Sequence, residues 1–199
     1  MQDIQEKQNA VMGMKGFYRI SRADVTTPDA RSLESKIVAL KQLRENYAMK
    51  DAKGIDNLIG SLIRELNARF GEIVFETPNL IPTVGRAVLA ARLAGITTYT
   101  GIVNKVALGT SSSTPLASDT QLGTEVYRNT IASYTSASNI AYLTGFFTAA
   151  ETSGTYSEVG LFIDGTASAN TGQMFSHALA SITKSSIQTL TIDWVVTIS

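Results

Sequence analysis

Near residue 95 the hydrophobic period of this chain changes from about 3.6 residues to about two, and no single regular element accommodates both. The first half is written for helices packed by one stripe. The second is written for strands whose alternate side chains face opposite sides of a sheet.

Thr27-Pro28-Asp29 has the chemistry of a helix start. Thr caps free N–H groups, Pro at the first helical position loses no donor, and Asp favours the positive end of the dipole. Leu33, Ile37, Leu40, Arg44 and Tyr47 then recur at helical spacing, predicting a helix to about Met49. After a break at Asp51 or Gly54, Ile55, Leu58, Ile59, Leu62, Ile63, Leu66 and Phe70 form a second stripe that stops at Gly71. That stripe is too broad for one short partner helix, so either copies of the chain or the rest of this chain must cover it. Leu33, Ile37, Leu40, Leu58, Ile59, Leu62 and Leu66 are the residues expected to form an oligomer or docking interface. Residues 72–82 read as a short strand and turn, and Thr83 to Ala94 as a compact helix closed by Gly95.

Beyond residue 95 the expected strands are 101–109, 124–134, 139–149, 156–163, 172–179 and 187–198. The last is the plainest, with Leu190, Ile192, Trp194, Val196 and Ile198 on one face. Gly160, inside a strand, marks a bulge or a close approach of backbone, and Glu158 beside it must face water or find a partner. Polar loops at 110–122 and 164–172 are expected on the surface. Composition supports this division. Residues 1–95 hold 14 Lys/Arg and 11 Asp/Glu against 3 and 6 in the rest, whereas Ser and Thr fill 34 of the last 104 positions. The expected fold class is therefore α+β, a helical N-terminal segment followed by a C-terminal antiparallel β-sandwich, jelly-roll-like or barrel. The expected organisation is an arm (1–26), a helical attachment segment (27–95) and the β-sandwich (96–199). The arm's apolar cluster, Met12, Met14, Phe17, Tyr18 and Ile20, either orders on a partner or folds back on the helices.

Several function classes lose support at this level. The 17 basic and 17 acidic residues balance, so no overall field draws the chain to nucleic acid or an anionic membrane. The charged N-terminus does not read as a secretory signal or lipid anchor, and no stretch approaches the roughly 20 apolar residues of a membrane-spanning helix. Without cysteine there is no disulfide framework or thiolate metal site. The single histidine, His177, has no partner pattern and reads as a surface or edge-strand residue. The six carboxylates of the β region, Asp119, Glu125, Glu151, Glu158, Asp164 and Asp193, have no spacing that predicts an acid/base pair. Asp164-Gly-Thr is a weak echo of a calcium loop whose later positions offer no ligands. Gly85 lacks the companion glycines and Lys of a phosphate-cradling loop, and Lys36, Lys41, Arg44, Lys50 and Lys53, interleaved with acids, read as a solvated helix face. The expectation is no enzyme, no cofactor and no metal.

Five segments carry a resemblance. Asn79-Leu-Ile-Pro-Thr-Val-Gly-Arg, Val106-Ala-Leu-Gly-Thr, Ser113-Thr-Pro-Leu-Ala-Ser-Asp-Thr-Gln-Leu, Glu125-Val-Tyr-Arg and Glu158-Val-Gly-Leu-Phe resemble a group of structural proteins of tailed-phage virions. The likeness covers about residues 79–199 and implies a small β-sandwich module on a capsid, neck, tail or fibre. It also implies a homotrimer that decorates the particle or anchors an appendage, with other virion proteins as partners and the virion as location. The alternative is a receptor- or glycan-binding module of a tail fibre or baseplate, acting through loops 110–122 and 164–172.

Overall fold

A computed structural model describes residues 13–47 and 52–198, arranged as three helices and an eight-stranded antiparallel sheet, an α+β fold. In chain order the elements are β1 (Met14–Asp24), α1 (Pro28–Arg44), α2 (Lys53–Phe70), β2 (Gly71–Asn79), α3 (Thr83–Leu93), β3 (Val103–Gly109), β4 (Glu125–Ala137), β5 (Ile140–Phe147), β6 (Gly154–Ile163), β7 (Gln173–Lys184) and β8 (Gln188–Ile198). Met12 of the expected arm, and Met49 to Asp51 at the expected helix end, lie outside the described residues.

The strands follow the order β2-β1-β8-β5-β4-β3-β6-β7, so the first and last strands of the sheet are the ones that must meet for it to close. They meet at one point. Leu80 and His177 exchange both backbone hydrogen bonds, each 3.0 Å. Below that bridge, side chains of β1 replace the missing ladder. The Tyr18 hydroxyl donates to the Leu179 carbonyl, and Arg22 Nη1 donates to the Thr183 carbonyl at 2.7 Å. The result is nearly a barrel. Its interior holds Tyr18, Ile20, Phe147, Val159, Leu161, Ile163, Ile192 and Trp194, with the Tyr18 and Trp194 rings stacked 6.1 Å apart.

The segment expected as an arm is therefore partly a central strand. β1 pairs with β8 over eleven residues and with β2 over eight, and Tyr18 and Ile20 are fully buried. Arg19 and Arg22 break up its alternation in the sequence, and in the fold they pair with Glu76 and Glu72 across β2. Because β1 and β2 belong to the same sheet as β8, the pattern change near residue 95 does not mark the edge of a separate β module.

α1 and α2 form a hairpin laid against the outside of the sheet. Leu33, Ile37, Ile59, Ile63 and Leu66 pack there on Ala132, Phe146 and Ala149. The stripe is consumed within the chain. Of the seven residues expected to form a docking interface, Leu33, Ile37, Ile59 and Leu66 are buried, Leu40 and Leu62 are half-buried, and only Leu58 is exposed, at 49%. Burial on this chain's own sheet removes the apolar surface that an interface through those four would need. Lys41 and Arg44 also depart from the solvated face expected of them. Lys41 Nζ donates to the Phe146 carbonyl at 3.2 Å, and Arg44 Nε meets Asp56 at 2.9 Å. Burial holds the Lys41 ammonium below its ordinary pKa.

Two expectations follow from this packing. Ile59→Ala should cost about 2–5 kcal/mol in denaturant melts, whereas Leu58→Ala stays within about 0.5 kcal/mol. Equal effects would mean that the hairpin does not pack as described. Asp193, half-buried on β8 beneath α2, has its pKa raised by burial, against the opposing pull of the Thr144 hydroxyl, Arg19 and Arg64. A raised folded-state pKa contributes stability that is complete below the unfolded value and is lost as pH rises through the folded one. Asp193→Asn should therefore stabilise the fold at neutral pH, with the advantage over wild type closing as pH falls through the carboxylate range.

Candidate functional site

The strand β6 presents Val159, Leu161 and Ile163 to the interior and Glu158, Gly160 and Phe162 to the outside, where long connections cover them. A Cβ on Gly160 would stand 3.0 Å from Leu122 of the β3–β4 connection, the close approach that the sequence anticipated. A Cβ on Gly109 would stand 2.4 Å from a Glu158 oxygen, so glycine there makes room for a buried carboxylate.

That carboxylate is the centre of a polar cluster. Glu158 is fully buried and accepts the backbone N–H groups of Ser111 (3.2 Å), Gly123 (3.0 Å) and Thr124 (2.8 Å). Its Oε2 also lies 3.0 Å from His177 Nε2, while His177 Nδ1 lies 2.7 Å from Asp119 Oδ2. The same Asp119 oxygen accepts the Leu116 N–H at 2.7 Å. The carboxylates that sequence spacing kept apart thus meet on either side of the one histidine, and His177 lies on a terminal strand of the sheet, as one of its two readings had it, but is buried there and not on the surface. Long-range strand pairing brings them together, and spacing along the chain carries no trace of it. Only the conflict of a glutamate inside an apolar strand pointed to a partner for Glu158.

What this cluster can do is limited by its geometry. Glu158 accepts backbone N–H groups of Ser111, Gly123 and Thr124, which hold the β3–β4 connection to the sheet, and its remaining hydrogen bond is to His177 on β7. Among the described residues no group of three or more His, Cys, Asp or Glu side chains is placed to hold a metal ion. Here the two carboxylates face opposite ring nitrogens and share no point at which a cation would sit.

A second centre fastens the β6–β7 connection. Glu125 and Arg128 form a buried two-pronged ion pair, with one contact of 2.5 Å and another of 2.7 Å. Arg128 Nη1 reaches the carbonyls of Thr166 (3.2 Å) and Thr171 (3.1 Å), and the Asn170 N–H donates to Glu125 at 3.0 Å. The guanidinium lies 4.7 Å from the Phe162 ring centre. Asp164 accepts the Thr100 N–H at 2.7 Å and so fastens the segment before β3 to the β6–β7 connection. A third centre is Lys184, whose buried ammonium donates to the carbonyls of Ala149, Glu151 and Thr152 at 3.2, 2.7 and 2.9 Å and holds the β5–β6 connection. Burial lowers its pKa as well. Gly85 sets α3 against β7, since a Cβ there would stand 2.8 Å from the Met174 carbonyl.

No known family model matches the chain, and neither a curated protein nor a solved structure matches it.

Removing the Glu158 carboxylate would strand His177 and three N–H donors in a dry site. Glu158→Ala should cost about 3–5 kcal/mol and speed amide exchange at Ser111, Gly123 and Thr124 ahead of the β8 core. Unchanged exchange at those three amides would show that the carboxylate does not hold the connection.

Proposed function

We propose that this chain is a non-enzymatic structural protein of a tailed-phage virion, a homo-oligomeric subunit that decorates the particle or anchors an appendage. The observation that carries this reading is where the resembling segments fall. Glu125 and Arg128, Glu158, Asp119 within the 113–122 segment and Leu80 beside Asn79 are the residues that fasten connections or close the sheet. What the resemblance rests on is therefore a set of rigidifying devices, not a reactive constellation. A rigid body with hydroxyl-rich connections suits repeated docking, where the work is done by buried surface and copy number. The finer reading, a β-sandwich that is jelly-roll-like or closed as a barrel, is part of the same proposal.

The docking surface is reduced from the original stripe. Leu58 remains exposed, and Leu43 and Tyr47, at 44% and 47%, are exposed on the same hairpin near its turn. This hairpin end is the attachment surface we assign, in a trimer. A rival reading as a receptor- or glycan-binding module has one observation in its favour: connections 110–122 and 164–172 are held from beneath by buried charges, which preorganises their exposed hydroxyls.

Light scattering after size exclusion, with mass spectrometry of purified phage particles encoding the chain, tests the assignment. The expected outcome is a trimer present in the particles, which falls to monomer and drops out of the particles when Leu43 and Leu58 are both changed to Asp. A chain missing from purified particles would overturn the virion reading. A trimer indifferent to the double change would move the interface off the hairpin.

A further inference from the structure

Among the described residues, one end of the barrel is open. At the end that carries the β4–β5 turn, the interior layer of Val103, Leu143, Phe175 and Val196 is in place, and no described side chain closes over it. Above it is a cavity of about 470 Å³, walled by Met14 and Leu89 and continuous with solvent. That volume lies within the range, about 300–1,000 Å³, in which proteins hold small organic ligands, and barrel mouths are a common place for them.

Polar groups gather on one side of this mouth. Thr135 and Ser136 at the end of β4 bring hydroxyls, and Lys53 and Asp56 at the start of α2 bring charges. Asp56 is already neutralised by Arg44, 2.9 Å away, while Lys53 forms no ion pair with any carboxylate among the described residues. Among the described residues, the mouth thus combines an apolar throat with a rim whose unbalanced charge is positive.

We propose that the barrel mouth binds one amphiphile per chain, an unbranched apolar tail bearing a single carboxylate. The tail lies on Leu89, Phe175 and Val196, and the head group meets Lys53 and the hydroxyls of Thr135 and Ser136. Each part of the ligand answers a feature of the site. The throat is apolar and recessed, so water leaving it favours a hydrocarbon chain, and the rim cation with two donors favours an acceptor-only anionic head over a neutral or cationic one. This site is independent of the virion assignment, because it rests on the cavity alone.

Decanoate, decanol and decylamine, each below its micelle concentration, can be titrated against the full chain. Native mass spectrometry and displacement of anilinonaphthalene sulfonate fluorescence read the binding. Decanoate is expected to bind saturably at one per chain and more tightly than decanol, with decylamine weakest. Leu89→Trp and Ser136→Trp, which fill the throat and the rim separately, should each weaken decanoate at least tenfold while circular dichroism shows an intact fold. Lys53→Glu should weaken decanoate by about two- to fivefold and leave decanol unchanged, as the loss of one solvent-facing ion pair implies. Three results would overturn the proposal. The first is non-saturable uptake of many molecules per chain. The second is equal affinity for all three head groups with no effect of Lys53→Glu. The third is a change of solution mass in folded Ser136→Trp without loss of decanoate, which would make the mouth a contact between copies of the chain.

Discussion

The backbone exchange between Leu80 and His177 is the contact that lets the sheet close. Without it β2 and β7 would be two edges, each presenting unpaired N–H and C=O groups, and the interior around Trp194 would open to water along that seam. One bridge is a short ladder, and the rest of the seam is joined by the Tyr18 hydroxyl and the Arg22 guanidinium reaching carbonyls of β7. β1 therefore has two duties. Its backbone sits between β2 and β8, and its inward side chains cross the interior to the far strand.

His177 connects this closure to the surface. Its backbone joins β2 to β7, while its ring stands between Asp119 and Glu158 and ties down the β3–β4 connection. The Glu125–Arg128 pair and Lys184 repeat the device for the two other long connections of the sheet. Burying charge costs free energy unless every polar atom is answered, and here each charge is met by several partners drawn from backbone as well as side chains. Groups that in isolation would suggest acid/base chemistry hold main chain in place here. A rigid scaffold with fastened connections is the physical basis of the structural role we propose.

The helical hairpin illustrates the same economy of surface. Its stripe is broad enough to invite a partner, yet Ile37, Ile59 and Leu66 find that partner in Ala132 and Phe146 on the outer face of the sheet. A β-sheet curled nearly into a barrel keeps one face for its own core and leaves the other available to cover exactly such a helix pair. The sequence pattern alone left this choice open, because amphipathicity states that a face must be buried and not what buries it.

Local rules accounted for much of the outline. The helix begun at Thr27-Pro28 and the alternation of Leu190 to Ile198 appear where periodicity placed them, as do the six strands after residue 95, because capping and period are properties of short segments. β1 was not legible, since Arg19 stands between its two fully buried apolar residues and Arg22 follows them, and the partners of both arginines lie 50 or more residues away. The cluster at His177 was legible only as a misfit, a glutamate in an apolar strand, for Asp119, Glu158 and His177 become neighbours through strand pairing alone. By itself, then, the sequence determined the three helices and the strands that follow them, but not β1. The tertiary structure decided which charges are buried together, which apolar stripe is consumed within the chain and where the sheet closes, because each of these depends on contacts between residues far apart in the chain.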